Sequence, residues 1–437
     1  MSKVKFLLQP GGVLQGELRV PGDKSISHRS IMLGALAQGT TQVKGFLQGE
    51  DSLATLAAFR AMGVTISGPD EQGDVIIEGV GLNGLTAPKD DLYLGNSGTS
   101  MRLLSGLLAG QSFDVTLTGD ASLSGRPMMR VINPLQQMGA SIESDDGKAP
   151  LKIHGGQTLR GIDYELPVAS AQVKSCVLLA GLYARGQTCT TEPAPTRDHT
   201  ERMLNGMGYE VRVEGARACL QSGGELTAGE IDVPADISSA AFFMVGASIA
   251  EGSDVTLRHV GMNPTRTGVI DILRLMGADI SVLNERVVGG EPVADLRICS
   301  AVLHGIDIPV ALVPLAIDEF PAIFVAAACA TGKTVLTGAE ELRVKESDRI
   351  QVMADGLVAL GIDAMATADG IEITGGKLGS ATVDSHGDHR IAMSFSMAAL
   401  RASGPIQITD CSNVDTSFPG FVGHAAAMGL KISLGDA

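Results

Sequence analysis

The segment Gly22-Asp23-Lys24-Ser25-Ile26-Ser27-His28-Arg29 concentrates cations and hydroxyls in a few residues. If a helix starts there, Lys24 and Ser25 project past its N-terminus, and Arg29 lies about one turn beyond Ser25 on the same face. Further cations follow in Arg126 (SGRPMMR), Arg197 (TRDHTER), Arg266 (NPTRTG), and Lys345 with Arg349 (RVKESDR). A surface capping motif with solvated charges would explain any one of them, but not their recurrence. Guanidinium and ammonium groups gathered at helix starts suit phosphates and carboxylates, so the chemistry indicated is that of small anions.

Three other patterns fail on context. Gly79-Val80-Gly81-Leu82-Asn83-Gly84 fits a dinucleotide fingerprint, but Pro88 and a charged stretch follow where a helix is required. Gly332-Lys333-Thr334 resembles the end of a phosphate loop, yet Ala327 stands where the first glycine belongs. His386 and His389 lack a third placed ligand and adjoin Asp388 and Arg390, which favours an anion site or a structural role over a metal.

The elements that must position these residues repeat six times. An apolar helical segment ends in Met-Gly or Leu-Gly and runs into a β-like stretch at Gly63, Gly139, Gly208, Gly277, Gly361 and Gly429. Each glycine suits a left-handed helix terminus. A second signature lies 22 to 29 residues earlier, where a helix is expected to end at Gly39, Gly110, Gly186, Gly252, Gly332 or Gly404. The helices of this second set begin near Lys24, Gly98, Ser170, Ser238, Phe320 and Asp388. Their interiors, such as RLLSGLLA and AFFMVGASIA, are apolar nearly all round, which marks burial. Each unit therefore reads as strand, helix, strand, helix, strand, strand. Six units suggest two domains of three, each with buried helices enclosed by sheet. If the helices of a domain are parallel, their N-termini gather at one end and favour anions.

Bulk properties agree. A chain of 437 residues exceeds one core, and a net charge of −16 excludes nucleic acid and acidic membranes as partners of the whole surface. No apolar run reaches spanning length, and Phe6–Leu8 near the N-terminus is too short for a signal-peptide core. The six cysteines show no CxxC pair, so reduced thiols in a cytoplasm are expected.

Seven collinear motifs together resemble the 5-enolpyruvylshikimate-3-phosphate synthases: GDKSISHR, GNSGTSMR (95–102), GRPM (125–128), SAQVKS (170–175), RDHTER (197–202), RVKESDR (343–349) and GDHR (387–390). The resemblance implies an α/β, two-domain enolpyruvyl transferase fold of six βαβαββ units, with the active site in the cleft between the domains. Domain one would comprise 1–22 plus 241–437, and domain two 23–240. It implies transfer of the enolpyruvyl group of phosphoenolpyruvate to the 5-hydroxyl of shikimate 3-phosphate, with no cofactor and no metal, in a cytoplasmic monomer. Carried over by motif, Lys24, Ser25, Arg29, Ser170, Ala171, Gln172, Arg197, Asp318 and Lys345 would hold shikimate 3-phosphate. Lys24, Gly98, Arg126, Gln172, Glu346, Arg349 and Arg390 would surround phosphoenolpyruvate. Asp318 is expected as base and Glu346 as the acid at C3, with Lys24 contributing to proton transfer. The bland readings are a helix N-cap for Asp318 and a solvated helix-start charge for Glu346.

Three departures resemble a second branch of the family that includes glyphosate-tolerant enzymes. Ala171 replaces a serine, Arg197 stands near a serine and tyrosine that contact the acceptor in the first branch, and Thr416 replaces a lysine. Strongly tolerant members of that branch carry alanine where Gly98 stands. Leu103 occupies a place where the sensitive branch often has proline, so intermediate sensitivity is expected. The alternatives are a UDP-N-acetylglucosamine enolpyruvyl transferase and a noncatalytic anion-binding scaffold. Against the first, Ala121 stands where that enzyme has a reactive cysteine, and Lys24-Ser25 where it has lysine-asparagine. Against the second, the acid-base pair is present.

Overall fold

A computed structural model describes residues 4–435. The chain forms two compact units: unit one is Met1–Pro21, Pro234–Val287 and Pro292–Ala437, and unit two is Gly22–Val233 with Val288–Glu291. Residues 1–3 and 436–437, assigned above to domain one, lie outside the described residues.

The turn signature is realised six times. Helices Glu50–Ala61, Met129–Gln137, His199–Gly206, Gly268–Leu275, Arg349–Ala359 and Phe421–Ala427 each run through one more residue into their glycine. Gly63, Gly139, Gly208, Gly277, Gly361 and Gly429 all have φ between 84° and 112°. The next residue then donates its amide to a carbonyl five residues back, as in Val64 to Phe59 (3.1 Å) and Ala140 to Leu135 (3.0 Å). This bond closes the helix and turns the chain into the following strand. An L side chain is disfavoured at that φ, which is why the glycine was legible at each site.

The buried helices are Lys24–Leu36, Gly98–Ala109 and Ala171–Gly181 in unit two, and Ile237–Ile249, Phe320–Cys329 and His389–Ala398 in unit one. Every residue of Ile237–Ile249 is buried. Among the described residues, three sheets accompany the helices of each unit. Their strand pattern repeats: a parallel pair such as Leu92–Tyr93 with Val115–Thr118, then antiparallel strands such as Lys148–His154 and Ser141–Asp145. Within a unit the helix starts lie together. Gln172 at one N-terminus bonds Thr99 and Arg102 at another, while Tyr183 and Gly110 meet at the opposite ends.

Four expectations need correction. The helices of the second signature stop short of their glycines; the first ends at Leu36, and Gly39 already lies in strand Ala37–Lys44. Gly110 alone caps its helix directly. The passages between units fall at 21/22 and 233/234 rather than at 22/23 and 240/241. Asp236 N donates to Pro21 O (2.9 Å) and Ala235 N to His259 O (2.8 Å), so the chain already belongs to unit one before its fully buried helix begins. The short segment Val288–Glu291, expected in domain one, groups with unit two. Finally, Cys189 and Cys219 are disulfide-bonded, not reduced. The 30-residue separation hid this, but the two residues face each other in the antiparallel pairing of Gln187–Thr191 with Arg217–Gln221. The other cysteines are free.

Candidate active site

Five of the six buried helices are capped by the side chain of an Asp or Ser immediately before the helix. Asp23 accepts from Ile26 N (2.8 Å), Ser97 from Ser100 N (3.1 Å), Ser170 from Val173 N (3.4 Å), Asp236 from Ser238 N (2.8 Å) and Asp388 from Arg390 N (2.9 Å). Capping holds each helix start in place and so fixes the residues beside it. The sixth helix, Phe320–Cys329, has Glu319 at its cap position with no side-chain cap bond. Asp318 is thus not the helix cap that its position allowed.

In unit two, Lys24 opens its helix and forms an ion pair with Asp51. Arg29 is buried and bonds Thr200 Oγ1 (2.7 Å), Ser175 Oγ (2.9 Å) and the carbonyl of Ser25 (2.9 Å). Burial, chiefly, pushes its pKa down to about 10; Glu201 and Asp23 oppose this and nearby Arg197 reinforces it. Arg197 is half-buried in the loop before helix His199–Gly206. That loop is braced by Thr196 N donating to Glu192 (3.1 Å), and Glu192 pairs with buried Lys174 (3.1 Å). Gln172 accepts from Arg102 NH1 (2.5 Å) and donates to Thr99 Oγ1 (3.0 Å). Arg126 donates to Asn96 Oδ1 (2.5 Å), and Asn96 in turn to Asp120 (2.7 Å). Gly98 lies between these two arginines: a Cβ there would sit 3.1 Å from Arg126 NH1 and 3.2 Å from Arg102 NH1. Ala171 follows the Ser170 cap and adds no polar group.

In unit one the charges form a chain. Arg349 is buried and donates to Asp388 (2.8 Å from Nε), to Glu346 (2.6 Å) and to Asp318 (3.3 Å). Burial works against its charge, but the carboxylates of Asp388, Glu346 and Asp318 outweigh it and hold the pKa above the ordinary arginine value. For Asp388 burial is likewise the largest influence and opposes ionisation, yet Arg349 leaves its pKa below the usual carboxylate range. Asp318 also faces Lys345 (3.8 Å) and Arg390 (4.0 Å), and its carbonyl accepts from Arg390 NH1 (3.0 Å). Glu319 accepts from the Ser238 hydroxyl and lies 3.8 Å from Arg266 and 3.9 Å from Arg390. Glu346 is not merely solvated, since Arg349 holds it. Thr416 is buried and its hydroxyl donates to Asn413 O (2.7 Å), so it supplies no charge.

The expected residues therefore fall into two groups. Lys24, Ser25, Arg29, Gly98, Arg126, Ser170, Ala171, Gln172 and Arg197 belong to unit two, and Asp318, Lys345, Glu346, Arg349 and Arg390 to unit one. Sequence reasoning missed Asp51, Arg102, Thr200, Ser175, Glu319 and Asp388 as partners. Arg102 had a signal, one helical turn beyond Gly98; Asp51 had none, because its contact with Lys24 is tertiary. Gly79–Gly84 runs from strand Val75–Val80 into irregular chain with no helix behind it. Among the described residues no group of three or more His, Cys, Asp or Glu could hold a metal ion, and no helix is long and apolar enough to cross a membrane.

A family model described as EPSP synthase (3-phosphoshikimate 1-carboxyvinyltransferase) matches residues 8–424. The 3-phosphoshikimate 1-carboxyvinyltransferase of Alkalilimnicola ehrlichii is 71% identical over 99% of this chain and 98% of its own length. That of Methylococcus capsulatus is 70% identical over 99% of each chain. Among solved structures, EPSP synthase from Acinetobacter baumannii superposes with a TM-score of 0.91 at 60% identity, covering 99% of this chain and all of its own. With one family model spanning nearly the whole sequence, relatives at 70% identity and a matching fold, this chain belongs to the EPSP synthase family.

Proposed function

We propose that this chain transfers the enolpyruvyl group of phosphoenolpyruvate to the 5-hydroxyl of shikimate 3-phosphate and releases phosphate. The observation that carries the residue roles is the arrangement around Arg349. One buried guanidinium holds both Asp318 and Glu346, with Lys345 and Arg390 beside Asp318. Two carboxylates set among cations suit a reaction that needs a base and an acid close to anionic substrates.

In the first step the 5-hydroxyl oxygen attacks C2 of phosphoenolpyruvate. Asp318 takes the hydroxyl proton, and Glu346 delivers a proton to C3, giving a methyl group. In the second step the C2–O bond to phosphate breaks and C3 returns a proton, so the enol ether double bond forms. Lys24, at a helix start, contributes to proton transfer and to holding phosphoenolpyruvate. Arg29, Arg197, Ser25, Ser170, Ala171, Gln172 and Lys345 hold shikimate 3-phosphate. Arg126, Arg349, Arg390, Gly98 and Gln172 border phosphoenolpyruvate. Planar guanidiniums give paired, charge-assisted bonds to these oxyanions, each contributing about 1.5 to 3 kcal/mol. The protein acts as a monomer in the cytoplasm.

Phosphate release with each acceptor tests this reading. The expected result is turnover with shikimate 3-phosphate, none with UDP-N-acetylglucosamine, and loss of turnover in Asp318→Ala and Glu346→Ala. Turnover with the second acceptor alone, or none with either, would refute it. Light scattering checks the monomer.

A further inference from the structure

Arg29 differs from the other two buried arginines, Arg266 and Arg349, in what it bonds. Arg349 and Arg266 each donate to a carboxylate. Arg29 is 4% exposed, yet its acceptors are two hydroxyls and one carbonyl, all neutral. Burying a guanidinium without a carboxylate is costly. A fold under no other demand would pair it.

The neighbouring charges show how a carboxylate is kept from bonding it. Helix His199–Gly206 carries Thr200 and Glu201 side by side. Thr200 turns its hydroxyl to Arg29, whereas Glu201 pairs with buried Lys174 at 2.8 Å. Glu192, on the other side of Lys174, is likewise taken. Thr200 Oγ1 accepts from Arg29 Nε and donates to Ser175 Oγ (2.8 Å), which also accepts from Arg29 NH2. Two mutually bonded hydroxyls therefore hold one edge of the guanidinium, and the Ser25 carbonyl holds NH1. Of the five N–H groups, one on each terminal nitrogen has no acceptor among the described residues. No carboxylate bonds the guanidinium, although Glu201, Asp23 and Glu291 act on its charge from farther away, and two donors remain for an oxyanion.

We propose that Thr200 and Ser175 are positioning residues that lock the Arg29 guanidinium in place through neutral acceptors, so that no bonded carboxylate competes with an anionic group of the acceptor substrate for its charge and its two remaining donors. The proposal rests on the reading that Arg29 holds shikimate 3-phosphate. A carboxylate at position 200 would orient the guanidinium equally well but would compete with the substrate for its charge.

A substitution series tests this by steady-state kinetics with both substrates varied. Thr200→Val should raise the KM for shikimate 3-phosphate about tenfold, because a donor loses its acceptor, with kcat and the KM for phosphoenolpyruvate changed far less. Thr200→Ser should restore the acceptor KM to within about threefold. Thr200→Asp keeps an acceptor beside Nε and should nevertheless be worse than Thr200→Val, about a hundredfold above the parent. An aspartate variant that binds as well as the valine variant, or better, would overturn the role of the neutral acceptors. Unchanged acceptor KM throughout the Thr200 series would overturn the positioning role. Ser175→Ala, expected to raise the acceptor KM about threefold, decides the matter if either larger change prevents folding; no effect there would refute the proposal. Arg29→Ala separates the two layers. If it leaves the acceptor KM unchanged, the assignment of Arg29 itself fails; if it raises that KM while the Thr200 and Ser175 variants do not, only this inference fails.

Discussion

Gly98→Ala adds one methyl group at the start of helix Gly98–Ala109, and the structure says what that methyl meets. Its carbon would sit 3.1 Å from Arg126 NH1 and 3.2 Å from Arg102 NH1, closer than ordinary van der Waals contact. Both neighbours are the far ends of flexible side chains, so each must retreat by roughly a few tenths of an ångström. Neither is free to do so without consequence. Arg126 is anchored on Asn96 at 2.5 Å, and Arg102 on Gln172 at 2.5 Å. Part of a charge-assisted contact to phosphoenolpyruvate, about 1 kcal/mol of its 1.5 to 3, should be lost. That corresponds to about a fivefold rise in the KM for phosphoenolpyruvate. Glyphosate, similar in charge but longer, should meet the methyl itself, so its inhibition constant should rise by at least about fiftyfold. Stability should hold or improve slightly, since Gly98 has no positive φ and alanine restricts the unfolded chain by about 0.4 to 1 kcal/mol. The assay is inhibition by glyphosate at several phosphoenolpyruvate concentrations, with melting measured in parallel. Equal changes in the two constants would refute the placement of Gly98 beside the inhibitor, and no change in either would remove Arg126 from the phosphoenolpyruvate contacts.

Three further outcomes are expected. Arg197→Ala should raise the acceptor KM by about ten- to a hundredfold, whereas Asp318→Ala and Glu346→Ala should lower kcat by about a hundredfold or more; near-normal turnover in either would strike that residue from the catalytic set. His28 is held neutral, its pKa well below 6.5 through burial and then through Lys24 and Arg29. The unfolded chain therefore binds its proton first, and stability should fall as pH drops below 6.5, by up to about 1.4 kcal/mol per unit. In His28→Gln the pH dependence of melting between pH 7 and 5 should flatten, and an unchanged slope would reject this assignment. Reducing Cys189–Cys219, which closes a loop with a separation of 30 residues, should cost about 3 to 4 kcal/mol; melting with and without reductant measures it, and the Cys189→Ser, Cys219→Ser double variant should not respond to reductant.

What the sequence by itself determined was periodic or local. The six Met-Gly and Leu-Gly turns were legible because a left-handed helix terminus tolerates few residues besides glycine, and all six have that conformation. The buried helices were legible because an element apolar on every side has nowhere else to go, and the Asp and Ser that cap their starts act within three residues. Tertiary structure decided whatever depended on residues far apart in the chain. Cys189 and Cys219 meet because antiparallel register sets them opposite one another, a fact absent from their spacing. Where the second passage between units falls depends on which core receives Ala235 and Ile237, and the core of unit one does. Asp388 adjoins His389 and Arg390 in the sequence, which says nothing of its partner; only the fold makes it the chief partner of Arg349, 39 residues away, and so the anchor of Asp318 and Glu346. Thr200 and Ser175 carried no sequence signal as partners of Arg29, because a hydroxyl becomes a guanidinium's acceptor only when packing brings it to about 2.7 to 2.9 Å and keeps other acceptors out.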